Sequence, residues 1–251
     1  MTKRKNVDDV TSNIPGSDGQ SRKYGMSTLA VHAGARPDPV TGARGTPIYQ
    51  TTSFVFDDAE HGAELFNLQT FGYVYSRMTN PTVSVFEERV AQLEGGRGAV
   101  ATSSGHAAQF IAAATLMEAG DEFIASRNLY GGSVTQFGVS FPKLGWKCNF
   151  VDPTDPANFE KAMNDKVKFI FCEGVANPGG IILDLEKIAD IAHKHGVLLI
   201  VDNTLASPYL LRPFEWGADL VVHSTTKFIG GHGNTMGGIC LLYTSPSPRD
   251  P

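Results

Sequence analysis

The chain has 251 residues, 41% hydrophobic and 19% charged, with a formal net charge of −5; this is the make-up of an ordinary folded protein with one large domain or two smaller ones. The acidic balance, with no basic run after Lys5, disfavours a nucleic-acid partner, and no apolar run approaches the roughly 20 residues that span a bilayer. Three cysteines, Cys148, Cys172 and Cys240, show neither metal-ligand nor paired spacing, which points to a reducing, cytoplasmic compartment and to no resident metal.

Residues 1–24 are polar, rich in Ser, Gly, Asp and Lys, and lack the apolar stretch of a secretion leader; such a segment buries too little surface to order itself and is expected to be a solvated tail. Asp8, Asp9 and Asp18 count against a transit peptide. Residues 25–79 mix turn formers with aromatics (Tyr49, Phe54, Phe56, Phe66, Phe71, Tyr73, Tyr75) and show no sustained period. An arm of that make-up is expected to bury its rings against something else, a neighbouring subunit being the candidate.

From Asn80 onward, helices and strands alternate. Asn80-Pro81 starts a helix, since Asn caps and proline at the first position has no amide to waste; Val83, Phe86, Val90 and Leu93 recur at helical spacing and Gly95 ends it. Strands are predicted at 98–102, 122–126, 147–151, 167–172, 197–201 and 219–223, with helices at about 106–117 and 184–195. This alternation predicts an α/β fold, a mainly parallel sheet with helices on both faces, whose ligands sit beyond the strand C-termini. Ser104-Gly105, Asn177, Asp202 and Lys227 all fall there. Met236-Gly237-Gly238-Ile239 looks like the start of another strand. Residues Cys240 to Asp250 match a translated sequencing-library adapter letter for letter, and three prolines follow within residues 246–251. Residues 240–251 are therefore expected to be a non-native tail outside the fold, with the natural C-terminus missing.

Lys227 follows the apolar run Leu220-Val221-Val222 and a cluster of three hydroxyls, Ser224, Thr225 and Thr226, and precedes a glycine-rich loop. Asp202 ends a second apolar run, Val197–Val201. A fixed amine facing a fixed carboxylate suits pyridoxal phosphate, whose aldehyde takes the amine and whose ring nitrogen takes the acid. The turn Ser103-Ser104-Gly105-His106 offers free amides at a helix N-terminus, a seat for a phosphate, to which Ser224 and Thr226 can add hydroxyls. Tyr130, between Leu129 and two glycines, can stack on a flat ring. Taken singly, each has a blander reading: a lysine after a strand is commonly solvated, an aspartate there commonly caps a turn, and a boundary tyrosine commonly belongs to a core. Their joint occurrence at one sheet edge reverses the balance. His193 and His195 suit a helix C-terminus, and no histidine has a partner at metal spacing.

Five motifs carry a resemblance to a known family: Tyr75-Ser76-Arg77 with Asn80-Pro81-Thr82, Leu129-Tyr130-Gly131-Gly132, Glu173 with Asn177-Pro178, Val201-Asp202-Asn203-Thr204, and Ser224-Thr225-Thr226-Lys227. From Ser27 to Ile239 the chain resembles the Cys/Met-metabolism group of pyridoxal-phosphate enzymes. The resemblance implies the large domain of a fold-type-I transferase, built on a seven-stranded, mainly parallel sheet spanning residues 80–239, with a C-terminal small domain absent. It makes Lys227 the Schiff-base lysine and Asp202 the partner of the pyridine nitrogen. Tyr130 becomes the ring stacker, with a part in catalysis, and Asn177 a donor to the phenolic oxygen. Gly105, His106, Ser224 and Thr226 become phosphate ligands. Tyr75 and Arg77 are implied to reach the phosphate of an adjacent subunit in a homodimer or homotetramer. Residues 63–72, with Val31-His32-Ala33-Gly34 and Pro47-Ile48-Tyr49-Gln50, look most like the sulfhydrylases of the group, which implies O-acetylhomoserine and sulfide as substrates. The γ-synthases and γ-lyases share the same cofactor residues and remain alternatives. So does a non-catalytic cofactor-binding or assembly protein. A nicotinamide oxidoreductase is disfavoured, because no G-x-G-x-x-G follows a strand.

Overall fold

The computed structural model describes residues 12–15 and 21–243. In chain order the elements are β1 (Ser12–Pro15), β2 (Ser21–Tyr24), α1 (Met26–His32), α2 (Ala59–Phe66), α3 (Pro81–Glu94), β3 (Gly98–Thr102), α4 (Gly105–Leu116), β4 (Glu122–Ser126) and α5 (Gly131–Thr135). They continue with β5 (Lys147–Val151), α6 (Ala157–Lys161), β6 (Val167–Glu173), α7 (Leu185–Lys194), β7 (Leu198–Asp202), α8 (Ser207–Leu210), β8 (Leu220–Ser224) and β9 (Gly238–Leu242). Seven strands form one sheet in the order β3-β9-β8-β7-β6-β4-β5. Strands β4 to β8 pair in parallel, and β9 runs antiparallel to both its neighbours.

Strand alternation divides the core between the two faces of the sheet. Phe169 and Phe171 of β6 point to one side, joining Phe123, Ile200 and Val222 against Ala108, Ala112 and Ala113 of α4. Ile170 and Cys172 point to the other, joining Leu199, Val201, Val221 and Leu241 against α3 and α7. Small residues along α4 let that helix lie close to the sheet, while α7 presents Leu185, Ile188 and Ala192 at helical spacing. The α3 start is built as expected: Asn80 Oδ1 accepts the Thr82 N–H at 2.9 Å, Pro81 occupies the first turn, and Gly95 ends the helix at φ 78°.

Two expectations need correction. The sheet does not stop at Ile239: Cys240, Leu241 and Leu242 complete β9, which is hydrogen-bonded on both edges, with Leu241 fully buried. The prolines that argued against a strand lie further on, and three apolar residues satisfy a central ladder whatever their origin; residues 244–251 lie outside the described residues. The tail of residues 1–24 is not wholly irregular either, since β1 and β2 pair antiparallel, Ser12 opposite Tyr24 and Pro15 opposite Ser21. A two-stranded ladder of backbone bonds is marginal alone. Residues 1–11 and 16–20 lie outside the described residues.

Residues 25–79 attach to the main body through α1, whose Leu29 is fully buried against α3 with Ala33 beyond it. Beyond that anchor the arm rings pack on one another, Phe54 on Tyr73 and Phe56 on Phe66. Val40, Val55 and Phe71 are 90%, 97% and 85% exposed. Among the described residues no helix is long and apolar enough to cross a membrane.

Candidate active site

Each candidate side chain of the main body comes from the C-terminal edge of the parallel strands or from the helix that follows. Asp202 is the last residue of β7 and Ser224 the last of β8, one position later than the sequence pattern placed each strand end. Together with the α4 N-terminus, the turn after β4 and the loop after β6, they line an open cleft of about 670 Å³, within the ordinary range for small-molecule sites. Gly105, His106, Tyr130, Asn177, Asp202, Ser224, Thr226 and Lys227 all face it. Val175, Leu205, Phe228 and Met236 supply apolar wall.

At one end of the cleft, Ser104 caps α4 by accepting the Ala107 N–H at 3.1 Å. Among the described residues, the Gly105 and His106 N–H groups have no acceptor in the chain, so they remain free for an anion at the positive end of the helix. A Cβ on Gly105 would come within 2.7 Å of Ser224 Cβ, and one on Gly238 within 2.1 Å of the Ser104 carbonyl. Only glycines let the turn, β8 and β9 approach this closely. The Ser224 N–H is fixed by Thr204 Oγ1 at 2.8 Å. The Thr226 hydroxyl exchanges bonds with Gly237, accepting its N–H at 3.1 Å and donating to its carbonyl at 3.2 Å. Thr226 must release that carbonyl before it can donate to a ligand.

On the cleft floor, Asp202 is 8% exposed. Its Oδ1 accepts the Thr204 N–H and its Oδ2 the Gln109 side-chain amide, both at 2.9 Å. Glu173, the last residue of β6, accepts the Tyr130 N–H at 2.7 Å on one oxygen and the Asn177 N–H at 2.8 Å on the other. Burial raises the Glu173 carboxyl to about 7, and the charge of Asp202 adds to the effect, against the two N–H donors. Behind β7 and β8, Glu94 Oε1 accepts from Asn203 Nδ2 at 2.7 Å and pairs with His223 Nε2 at 2.6 Å, with both members of that pair fully buried. Asn203 and His223 directly neighbour Asp202 and Ser224, so this contact ties the two strand ends together from the opposite face.

Lys227 stands at the rim on an exposed turn, its carbonyl accepting the Gly231 N–H at 2.8 Å. The Tyr130 and His106 rings lie 5.9 Å apart, tilted by 30°. Tyr75 and Arg77 are exposed and do not line the cleft; the guanidinium sits 5.6 Å from the Tyr75 ring centroid. Burial pushes all three thiols up, Cys240 to about 11, so none is a ready nucleophile at neutral pH. Gln109, Thr204 and the Glu173 contacts escaped the sequence reading. Gln109 sits inside an alanine-rich helix, where nothing in the one-dimensional pattern separates a buried amide from a surface one.

The donor set fits pyridoxal phosphate: free N–H groups and a serine hydroxyl at one end of the cleft, a carboxylate on its floor and a primary amine at its rim. A family model, Cys/Met metabolism PLP-dependent enzyme, matches residues 27–247. The chain is 49% identical over 227 residues to an O-acetyl-L-homoserine sulfhydrylase of Leptospira meyeri, covering 90% of this chain and 51% of that protein. It is 49% identical over 217 residues to a homocysteine synthase of Schizosaccharomyces pombe, with 86% and 51% covered. A solved structure from Campylobacter jejuni, described as an O-acetylhomoserine (thiol)-lyase and carrying N'-pyridoxyl-lysine-5'-monophosphate, superposes with a TM-score of 0.86 at 37% identity, over 88% of this chain and 55% of that one. The chain spans about half the length of the relatives it matches. With the family model matched over most of its length, the chain belongs to the Cys/Met-metabolism PLP-dependent enzymes.

Proposed function

We propose that this chain provides the cofactor-holding part of a cytoplasmic enzyme that replaces the acetoxy group of O-acetylhomoserine by sulfide, giving homocysteine and acetate. The observation that carries this reading is the convergence of Lys227, Asp202 and the free α4 amides on one cleft. Similarity to sulfhydrylases and homocysteine synthases supports the choice of reaction. Bound pyridoxal phosphate supplies an electron sink that makes the substrate α- and β-protons removable. In this reading Gly105 and His106 donate N–H groups to its phosphate, and Ser224 adds a hydroxyl. Tyr130 covers a ring face, Asn177 donates to the phenolic oxygen, and Asp202 holds the proton on the pyridine nitrogen. Lys227 Nζ is the primary amine that would hold the cofactor aldehyde, and as a free amine it would serve as the general base for the substrate α-proton. Tyr130 lines the same cleft as Lys227 and would assist departure of acetate.

Tyr75 and Arg77 lie away from their own cleft, and we assign them to the phosphate of a second copy in a homodimer or homotetramer, where an arginine fork suits a phosphate. The test is the full chain purified with pyridoxal phosphate. Expected results are a visible absorbance that Lys227→Ala abolishes, and homocysteine formation from O-acetylhomoserine and sulfide. Colour and turnover that survive in Lys227→Ala overturn the site. Product formed only with cysteine as nucleophile overturns the choice of reaction and leaves the cofactor site intact.

A further inference from the structure

Gln109 is a 5% exposed side chain on α4, inside a buried helix face otherwise made of Gly105 and alanines. Burying a primary amide there costs free energy that an apolar chain of equal length avoids. Its hydrogen bonds are specific. Nε2 donates to Asp202 Oδ2 at 2.9 Å and to Ser133 Oγ at 3.0 Å, while the Ser133 hydroxyl donates to Gln109 Oε1 at 3.2 Å. Ser133 is fully buried and stands three residues after Tyr130, in α5. The carboxylate can only accept, so it selects the NH₂ end of the amide, and the Ser133 hydroxyl, bonded to both ends, anchors the amide in that orientation. With the Thr204 N–H on Oδ1 at 2.9 Å, each oxygen of Asp202 has one fixed donor, and rotation of the carboxylate about its Cβ–Cγ bond is opposed from both sides.

We propose that Gln109, itself oriented by Ser133, is a positioning residue that holds the Asp202 carboxylate at the angle required to keep a pyridine nitrogen protonated. The inference rests on the cofactor reading above and extends it to two residues that act through Asp202, Gln109 at the cleft wall and Ser133 behind it. It also couples the acid under the ring to the element that carries Tyr130, so that the floor and one face of the ring site move as a unit.

The test uses the full chain and pyridoxine 5'-phosphate, which lacks the aldehyde and cannot bond to Lys227. Binding is followed by ligand fluorescence, and the ring-nitrogen titration of the bound ligand by its absorbance across pH. Gln109→Met keeps length and volume and removes the donor; it is expected to weaken binding by roughly 10-fold, the loss typical of one hydrogen bond to a charged group. The apparent ring-nitrogen pKa is expected to fall by about one pH unit, since a turned carboxylate stabilises the ring proton less. Ser133→Ala, which removes one atom and with it the second anchor of the amide, is expected to move the same titration in the same direction by a smaller amount. That second variant carries the test if Gln109→Met does not fold. Binding and ring titration unchanged in a folded Gln109→Met, or in Ser133→Ala, overturn the proposal and leave the cofactor reading standing. Absence of binding in the parent chain overturns the cofactor reading, and this inference with it.

Discussion

Glu173 is a buried carboxylate of the site whose proton affinity is raised into the physiological range, to about 7 from 4.5. Between those values the folded chain retains a proton that the unfolded chain has released. Stability therefore falls as pH rises from about 4.5 to 7 and levels off above. A shift of that size corresponds to a change on the order of 3 kcal/mol. Urea unfolding of Glu173→Gln at pH 5 and pH 7.5 is expected to show a flatter dependence than the parent by up to about that amount. Equal losses in the two proteins would show that burial does not raise this group. The variant also exposes the cost of the clamp: one amide oxygen can accept only one of the Tyr130 and Asn177 N–H groups well, and its NH₂ faces the other. Cofactor affinity should drop even where stability improves, and a fluorescence titration with pyridoxal phosphate measures it.

The contact between β9 and the Ser104-Gly105 turn is the tightest in the site, and it depends on an element that chain order alone would not bring there. A Cβ on Gly238 would lie 2.1 Å from the Ser104 carbonyl oxygen and 2.7 Å from Gly105 N. Both are backbone atoms, so relief requires moving the α4 N-terminus itself. Gly238→Ala is expected to cost roughly 1–3 kcal/mol or more by overpacking and to weaken phosphate-end binding more than ring-end binding. Thermal melting, with Kd values for inorganic phosphate and pyridoxal phosphate, separates the two. A variant with unchanged melting and unchanged phosphate affinity would refute this account of β9. The strands of the parallel core were legible because buried strands are continuous apolar runs punctuated by turns, as in Phe169–Cys172 and Leu198–Val201. That Asp202, Ser224 and Lys227 share one cleft was legible because polar residues at the ends of such runs, and just after them, fall at one edge of the sheet. The segment from Gly131 to Leu144, which carries the buried Phe137 and Phe141 through three short helical pieces, has no sustained period to read. Gln109 and the Glu94–His223 pair were hidden for another reason: their partners lie 93 and 129 residues away, and only the closed sheet brings them together.

The molecule as described leaves its arm with apolar side chains facing outward, and a free apolar surface of this kind is ordinarily covered. Val40, Ile48, Val55, Leu68 and Phe71 are each more than four-fifths exposed, while α1 fixes the root of the arm on α3. The same arm carries Tyr75 and Arg77, which turn away from the cleft of their own chain. If a second copy covers the arm, the two residues belong to the second copy's cleft, and an Arg77 defect and a Lys227 defect reside in different halves of a shared site. Arg77→Ala and Lys227→Ala, each without turnover alone, are then expected to recover up to about a quarter of parental activity when unfolded and refolded together. That fraction follows from random pairing: half the pairs are mixed, and one of the two sites in each mixed pair escapes both substitutions, provided the copies associate by a two-fold axis. Sedimentation of the parent gives the assembly state independently. Recovery to that level places Arg77 in the neighbour's site. No recovery from a mixture that sediments as an oligomer refutes the shared site, and a parent that sediments as a monomer refutes the covered arm.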